Sequence, residues 1–148
     1  MRIMAVDFGD ARTGVAVSDA SATLTGDAWV ITGKRLNDVI SSVVNEALAR
    51  GVSNIVVGLP KNMDGSVGSR AEKCIQFAES IRSALAQSSS QEQQSSSIEV
   101  IMWDERLTTM GAHRVLSDVG KFGKKRKKTV DAVAASLILE GYLGSIKK

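Results

Sequence analysis

The first two strand-like segments of the chain are separated by a connection too short to hold a crossover helix. Met1–Asp7 is an apolar run that ends in a carboxylate, and Thr13–Ser18 alternates around two valines. Parallel neighbours need a crossover of a dozen or more residues, so segments this close along the chain pair antiparallel. A third segment, Trp29–Thr32, extends the same meander. The chain is therefore predicted to begin with a three-stranded antiparallel unit.

After this meander, helical and strand-like patterns alternate. Apolar residues recur at three- and four-residue steps over Leu36–Leu48, which predicts an amphipathic helix closed by Gly51. Ile55–Leu59 is a continuous apolar run, typical of a central parallel strand. A second helical stripe covers Ala71–Leu85, and the next strand is predicted over Ile98–Met102.

Two further helices are predicted near the C-terminus, over Thr109–Val119 and Val130–Leu143. The complete order predicts the α/β class: a mixed five-stranded sheet, with three antiparallel meander strands and two parallel strands, flanked by helices. A length of 148 residues fits one domain covering residues 1–148. Within it, the Ser/Gln-rich residues 88–97 cannot bury a face and are predicted to be a flexible surface insertion.

Cysteine content and hydropathy indicate the cellular compartment of this protein. Cys74 is the only cysteine, which rules out an internal disulfide framework and fits a reducing compartment. It lies on an apolar helical stripe, so we predict a buried thiol rather than a nucleophile. No signal-peptide core precedes Asp7, and no apolar run approaches the ~20 residues of a membrane helix. We therefore expect a cytoplasmic protein without membrane contact.

Positive charge is concentrated near the C-terminus, although the net charge is only +3. Six of the eight residues in 121–128 are Lys or Arg. Such a basic segment on an otherwise balanced domain suggests a polyanion partner, while the alternative is a solvated surface loop. Charge alone leaves both interpretations open.

Three acids stand out by their positions in the predicted elements. Asp7 ends the first strand, Glu105 follows the strand that begins at residue 98, and Asp131 opens the last helix. Acids at strand ends face the sheet edge where ligands bind in α/β folds. Carboxylates gathered there without a His or Cys cluster favour Mg²⁺ or Mn²⁺, and a pair of such ions can promote phosphodiester cleavage. From spacing alone, however, a turn cap, a surface acid and a helix-dipole acid remain the better interpretations.

Four segments resemble motifs of the YqgF/RuvX family and occur in the family's order. This family contains RNase H-like proteins that are related to Holliday junction resolvases and are named as nucleases of precursor 16S rRNA. Only residues 88–97 fall clearly outside the resemblance. The matching segments are Ala5–Asp19, Val56–Ser66, Asp104–Thr109 and Val130–Leu139.

The resemblance implies an RNase H-like fold in which Asp7, Glu105 and Asp131 are catalytic acids that bind Mg²⁺ or Mn²⁺. The implied activity is hydrolysis of phosphodiester bonds in structured nucleic acid, with precursor 16S rRNA processing in ribosome biogenesis as the first hypothesis. RNA is favoured over DNA, and a monomer or weak dimer is expected. Related resolvases often carry a fourth acid where this chain has Ala134, and this departure counts against junction resolution. A DNA junction resolvase is therefore the alternative rather than the first hypothesis. A nucleic-acid-binding factor without catalysis is a third hypothesis.

Several polar residues are candidates for substrate contact. Gly-containing loops after strands present backbone N–H groups and short side chains to phosphate oxygens. The alternatives are a solvent-facing strand residue at position 12 and an ordinary surface turn at positions 61 and 62. The predicted substrate-binding residues are Arg12, Lys61, Asn62, Arg106, Lys124, Lys125 and Arg126.

Overall fold

The computed structural model describes residues 1–32, 35–89, 98–107 and 124–146, and contains one five-stranded sheet in the order β3-β2-β1-β4-β5. A short 3-10 helix, Glu105–Leu107, follows the last strand. The strands are β1 (Ile3–Asp7), β2 (Arg12–Ser18), β3 (Thr25–Thr32), β4 (Asn54–Leu59) and β5 (Glu99–Asp104), and the α-helices are α1 (Leu36–Arg50), α2 (Ser69–Ser89) and α3 (Lys124–Ile146).

Strand pairing confirms the predicted mixed sheet. β1 pairs antiparallel with β2, and β2 pairs antiparallel with β3. β1 also pairs in parallel with β4, and β4 pairs in parallel with β5. β3 begins at Thr25, four residues before the predicted start. The two kinds of pairing meet at β1, which is therefore the central strand.

The sheet is covered on both faces by helices. Alternating residues of β1 point to opposite faces, so Met4 and Val6 join one apolar cluster while Ile3 and Ala5 join the other. The first cluster lies under α1 and α2, and the second lies under α3. Burial on both faces explains why β1 reads as a continuous apolar run rather than as an alternating one.

α2 is longer than predicted at its C-terminal end. It reaches Ser89, so the first two residues of the predicted flexible insertion are helical. The hydroxyl of Ser88 donates to the carbonyl oxygen of Ala84 at 3.1 Å, within the preceding turn. A serine at the end of a helix can satisfy its hydroxyl in this way. The Ser/Gln-rich composition of residues 88–97 gave no sign of this helical extension. Residues 90–97 lie outside the described residues.

α3 begins six residues before the predicted start, and this corrects the interpretation of the basic segment as a loop. Residues 124–128 form its first turns. Lys and Arg have high helix propensity, so a basic run can extend a helix instead of ending it. The predicted helix Thr109–Val119 lies outside the described residues. No helix that the structure describes is both long and apolar enough to cross a bilayer.

The turn between β1 and β2 requires glycine at its start. A Cβ on Gly9 would lie 2.5 Å from the carbonyl oxygen of Arg12, and that oxygen belongs to the backbone. We expect Gly9→Ala to lower the free energy of unfolding by about 1–3 kcal/mol, because the turn must move to relieve the contact. Urea unfolding measures this change.

Gly144→Ala is the matched control for this prediction. Gly144 lies in α3 with no atom near the position of an added Cβ. This variant should be unchanged or more stable by up to about 1 kcal/mol, because alanine has the higher helix propensity. Equal urea midpoints for Gly9→Ala and the wild type would contradict the steric argument.

Candidate active site

Asp7 lies at the end of the central strand, between two glycines. It is the last residue of β1 and is aligned with Gly14 of β2. On the other side, Gly58 of β4 directly follows Val57, which is aligned with Val6. Neither glycine carries a side chain, so the strands on the two sides of Asp7 place no Cβ beside it.

Glu105 reaches the same edge of the sheet from β5. Parallel pairing brings the ends of β4 and β5 together, and Glu105 begins the 3-10 helix that follows β5. A Cβ on Gly58 would lie 3.1 Å from Cδ of Glu105 and 2.6 Å from Cδ1 of Ile138 in α3. Gly58 is thus the point where the Glu105 side chain, the sheet and α3 meet.

Gly58 was not among the predicted site residues, although the sequence carried a signal for it. An isolated glycine inside an apolar strand often marks a close approach by another group. Here the approaching group is the carboxylate side chain of Glu105. The same reasoning applies to Gly14, which interrupts β2 opposite Asp7.

The electrostatic environment of Glu105 disfavours its ionised form. Burial raises the pKa of Glu105 to about 7, and the carboxylates of Asp7 and Asp104 add to this rise. Arg70 acts in the opposite direction and offsets only part of the rise. Two nearby acids in a partly desolvated position create a demand for positive charge, which a cation can satisfy.

The donor set at this edge fits a hard divalent cation. Asp7 and Glu105 provide carboxylate oxygens, the ligands that Mg²⁺ and Mn²⁺ prefer. Of the three predicted acids, Asp7 and Glu105 thus lie at the same edge. Among the residues whose side chains are described, no group of three or more His, Cys, Asp or Glu could hold a metal ion.

The third predicted acid, Asp131, is a residue of α3. Its side chain lies outside the described part of the chain. It does not open the helix as predicted, because α3 starts seven residues earlier at Lys124. Position 131 is one turn before the fully buried Ala135 and two turns before Ile138. Ala135 and Ile138 themselves pack on the side of α3 that covers the sheet.

Arg106 is held by its neighbour Asp104. Its guanidinium donates from Nε and Nη2 to Oδ2 of Asp104 at 3.0 Å and 2.7 Å. This contact lowers the pKa of Asp104, and the positive charge of Lys61 contributes a smaller effect. A Cβ on Gly65 would lie 3.4 Å from Nη1 of Arg106. The predicted residues Lys61 and Arg106 therefore lie near each other, around Asp104.

The loop between β4 and α2 is held by its own polar side chains. Asn62 donates from Nδ2 to the hydroxyl of Ser66 at 2.9 Å. Ser66 in turn donates from its backbone N–H and its hydroxyl to Oδ1 of Asp64, at 2.9 Å and 2.6 Å. Gly65 turns the chain with a φ of +89°. The Asn62 amide, predicted to contact substrate, thus takes part in fixing the loop.

Two basic residues at the start of α2 were also missed by the sequence interpretation. Arg70 and Lys73 line a cavity of about 140 Å³ together with Gly9 and Asp10 of the β1–β2 turn. Nζ of Lys73 lies 3.4 Å from Oδ1 of Asp10. Their three-residue spacing, just after a Gly-containing loop, was the available signal, since residues three apart share a helix face.

The remaining candidates are spread around this edge or lie beyond the described side chains. Arg12 begins β2 and is half-buried, on the same face of the strand as Gly14. The side chains of Lys124, Lys125 and Arg126 lie outside the described part of the chain.

Cys74 is confirmed as a buried thiol. Burial raises its pKa to about 11, and the negative charge of Glu105 adds to the rise. The thiol therefore stays protonated and is a poor nucleophile. Cys74 nevertheless lines the same small cavity as Arg70.

The sequence matches the RuvX family, described as Holliday junction resolvase, over residues 1–145. The chain belongs to this family. The family is one of nucleases, which is consistent with a hydrolase that acts on phosphodiester bonds. The expected family relationship is thus confirmed.

RuvX relatives from several bacteria match over nearly their full lengths. A protein of Acetivibrio thermocellus, named "Putative pre-16S rRNA nuclease", is 40% identical over 146 residues, which cover 98% of this chain and 96% of the relative. A protein of the same name from Halothermothrix orenii is 42% identical over 143 residues, covering 97% and 94% of the two chains.

Solved structures show the RuvX chain's fold to be resolvase-like. RuvC of T. thermophilus, in complex with a Holliday junction substrate, superimposes with a TM-score of 0.64 at 12% identity, covering 99% of this chain and 97% of that one. The Holliday junction resolvase of fowlpox virus, in complex with junction DNA, gives a TM-score of 0.56 at 15% identity and covers both chains completely. The predicted RNase H-like fold is confirmed.

Proposed function

We propose that this chain is a divalent-metal-dependent endonuclease that cleaves structured RNA, with precursor 16S rRNA as its substrate. The observation that carries the proposal is the meeting of Asp7 and Glu105 at one sheet edge, where the missing side chain of Gly58 lets Glu105 pack over the strand next to Asp7. Two converging acids in a partly buried position have a role when they share a cation, and are destabilising otherwise.

The proposed metal ligands are Asp7, Glu105 and Asp131, with Mg²⁺ or Mn²⁺ as the ion. Such an ion, when bound, stabilises the negative charge that develops on the oxygens of a phosphodiester under attack by water. The carboxylates would fix the position of the ion, and Gly58 leaves the space that the Glu105 side chain occupies. Partial burial of Glu105 strengthens every charge interaction at this edge.

Basic residues around the acids would position the substrate backbone. Arg70 and Lys73 lie at the start of α2, and Lys61 follows the end of β4, where Leu59 is aligned with Asp104. Arg12 begins the strand that flanks Asp7. These residues would hold phosphates along the strand without reading its sequence, which suits a substrate recognised by shape.

The choice of precursor rRNA is supported by the names of the full-length relatives, and a cytoplasmic location would follow from it. The second candidate is a DNA junction resolvase, which is favoured by the description of the family. Resolution of a four-way junction would require a dimer that presents two sites, whereas RNA cleavage would not.

A cleavage panel separates these possibilities. The purified protein is incubated with precursor 16S rRNA, plain RNA and DNA duplexes, and four-way DNA junctions, with Mg²⁺, with Mn²⁺ or with a chelator. We expect cleavage of the precursor RNA that is lost with the chelator. Cleavage of junctions alone would replace the proposal by the resolvase. Tight RNA binding without cleavage of any substrate would favour a non-catalytic binding factor.

The basic segment gives a separate prediction about affinity. Replacing Lys124, Lys125 and Arg126 together by Gln should weaken RNA binding at all sequences. It should also lower the slope of log affinity against log salt by about one for every phosphate that these side chains neutralise in the wild type. Fluorescence anisotropy over a range of salt concentrations measures both quantities.

The control variant for this experiment is Arg2→Gln. Arg2 is an exposed basic residue just before β1, at the opposite end of that strand from Asp7. Its replacement should leave the salt slope unchanged. An unchanged slope in the triple variant as well would mean that the basic turns of α3 do not touch the phosphates.

A further inference from the structure

A second, larger cavity lies next to the proposed cleavage site. Its volume is about 300 Å³, and it opens between the β1–β2 turn, the start of α1 and the first turns of α2. Phe8, Phe77 and Val39 form its apolar part, and Asp10, Lys73 and Gln76 provide polar groups at its rim. This size falls at the lower end of the range for small-ligand pockets.

The apolar part of this cavity is built from stacked aromatic rings. The ring centroids of Phe8 and Phe77 are 4.3 Å apart, with 13° between the ring planes. Phe77 is almost completely buried and holds Phe8 in place, while Phe8 itself is only half-buried. The exposed part of a fixed aromatic ring is a surface on which a flat π-system stacks.

This cavity joins a smaller one at the end of β1 that carries Asp7. It shares Phe8, Gly9, Asp10 and Lys73 with the smaller cavity, which extends to Arg70 and Cys74. Phe8 and Gly9, which line both cavities, directly follow Asp7 in the chain, so both cavities open at the end of β1 where Asp7 lies. A strand whose phosphate lies at the acids would therefore have its next nucleotide beside the larger cavity.

We propose that the larger cavity binds one unpaired nucleobase of the substrate strand, next to the phosphate that is cleaved. The base stacks on Phe8, while Gln76 and Asp10 offer hydrogen-bonding groups to its edge. Arg70 and Lys73 line the adjoining smaller cavity, and their positive charge complements that of the strand's phosphates. This inference rests on the proposed function, and it restricts the substrate to sites where a base near the cleaved bond is free of its partner.

The single native cysteine allows the cavity to be blocked selectively. Gln76 is exposed at the rim, so Gln76→Cys should fold normally and place a reactive thiol at the cavity mouth. Cys74 is buried with a raised pKa and resists alkylation. N-cyclohexylmaleimide then adds a bulky group without an aromatic ring. Ser83→Cys, on an exposed α2 position that does not line the cavity, is the matched control.

The probes are a short single-stranded RNA and an abasic sugar-phosphate strand of the same length. Their dissociation constants are measured by fluorescence anisotropy in a chelator buffer, so that no cleavage occurs. We expect the RNA to bind about tenfold more tightly than the abasic strand, within the range known for one stacked base. Alkylation of the Gln76→Cys variant should reduce this ratio to about one without changing the affinity for the abasic strand, and alkylation of Ser83→Cys should not.

Three results would overturn the inference: a ratio near one in the unmodified protein, a ratio that alkylation at position 76 leaves unchanged, or an equal loss of affinity for both strands. The last result would mean that the cavity lies on the backbone path and takes no base. Cleavage of precursor RNA together with a ratio near one would leave the proposed function standing without this subsite. A ratio that depends on the cavity, without cleavage of any substrate, would leave the subsite standing without the nuclease.

Discussion

Asp7→Asn is expected to reduce the rate of RNA cleavage by on the order of a thousandfold, while the protein still folds and still binds RNA. The substitution keeps the shape of the side chain and removes its charge. A metal ion that stabilises developing phosphoryl charge contributes several kcal/mol to the transition state, and loss of a central ligand removes most of this contribution. Single-turnover cleavage, with excess enzyme over labelled RNA, measures the effect on the chemical step.

Asp27→Asn provides the matched control for this prediction. Asp27 lies on the edge strand β3, where it pairs with Arg50 at 3.1 Å, and it is aligned with Val17, which belongs to the α1–α2 side of the sheet. The same chemical change there should leave the cleavage rate within about twofold, since exposed ion pairs contribute little. A wild-type rate in Asp7→Asn would remove Asp7 from the proposed mechanism, even if cleavage remained sensitive to chelator.

Glu105→Gln is expected to reduce the cleavage rate about as much as Asp7→Asn does. In metal-free buffer it should also stabilise the fold at neutral and alkaline pH. In the unfolded chain Glu105 loses its proton near its ordinary pKa of 4.5, whereas in the folded chain burial and the neighbouring acids raise this pKa to about 7. A raised carboxyl pKa contributes stability below 4.5, and this contribution is lost as the pH rises through 7. Gln carries no proton that can be lost, so its variant lacks this loss.

The difference between the two proteins should therefore grow with pH. With allowance for the partial exposure of the carboxylate, Glu105→Gln should gain about 2 kcal/mol over the wild type between pH values of about 5 and 8. Urea unfolding in the presence of a chelator, at several pH values across this range, measures the difference. Glu99→Gln, at the exposed start of β5, should follow the wild type at every pH. Parallel stability curves for Glu105→Gln and the wild type would contradict the prediction.

If Glu105→Gln raises stability but lowers the cleavage rate, the carboxylate of Glu105 serves catalysis at the expense of stability. Without a cation, the Asp7–Glu105 arrangement costs free energy, because two carboxylates share a partly desolvated space. Added Mg²⁺ or Mn²⁺ should raise the stability of the wild type more than that of Glu105→Gln, since a ligand that binds only the folded state stabilises it.

The spacing of apolar residues and the lengths of the connections predicted the sheet well, because both depend only on residues close together in the sequence. The short step from β1 to β2 leaves only antiparallel pairing, and the apolar run of β4 requires burial on both faces. Gly51 closes α1 with a left-handed φ of 64°, as its position after the helical stripe predicted. The helix ends were less predictable: α2 continues to Ser89 and α3 begins at Lys124, because a formed helix extends at little cost into residues of adequate propensity.

The sequence alone thus determined the order of elements and the mixed sheet, and the resemblance of its motifs predicted Asp7 and Glu105 as metal-binding acids. Only the tertiary structure decided what surrounds them: Gly14 and Gly58 in the strands beside Asp7, the charge of Arg70 that lowers the pKa of Glu105, and the stacked rings of Phe8 and Phe77 after β1. The physical reason is that residue periodicity reports which face is buried along one segment. Proximity between side chains of β1, β4, β5 and α2 depends instead on how whole elements pack, and no local pattern encodes it.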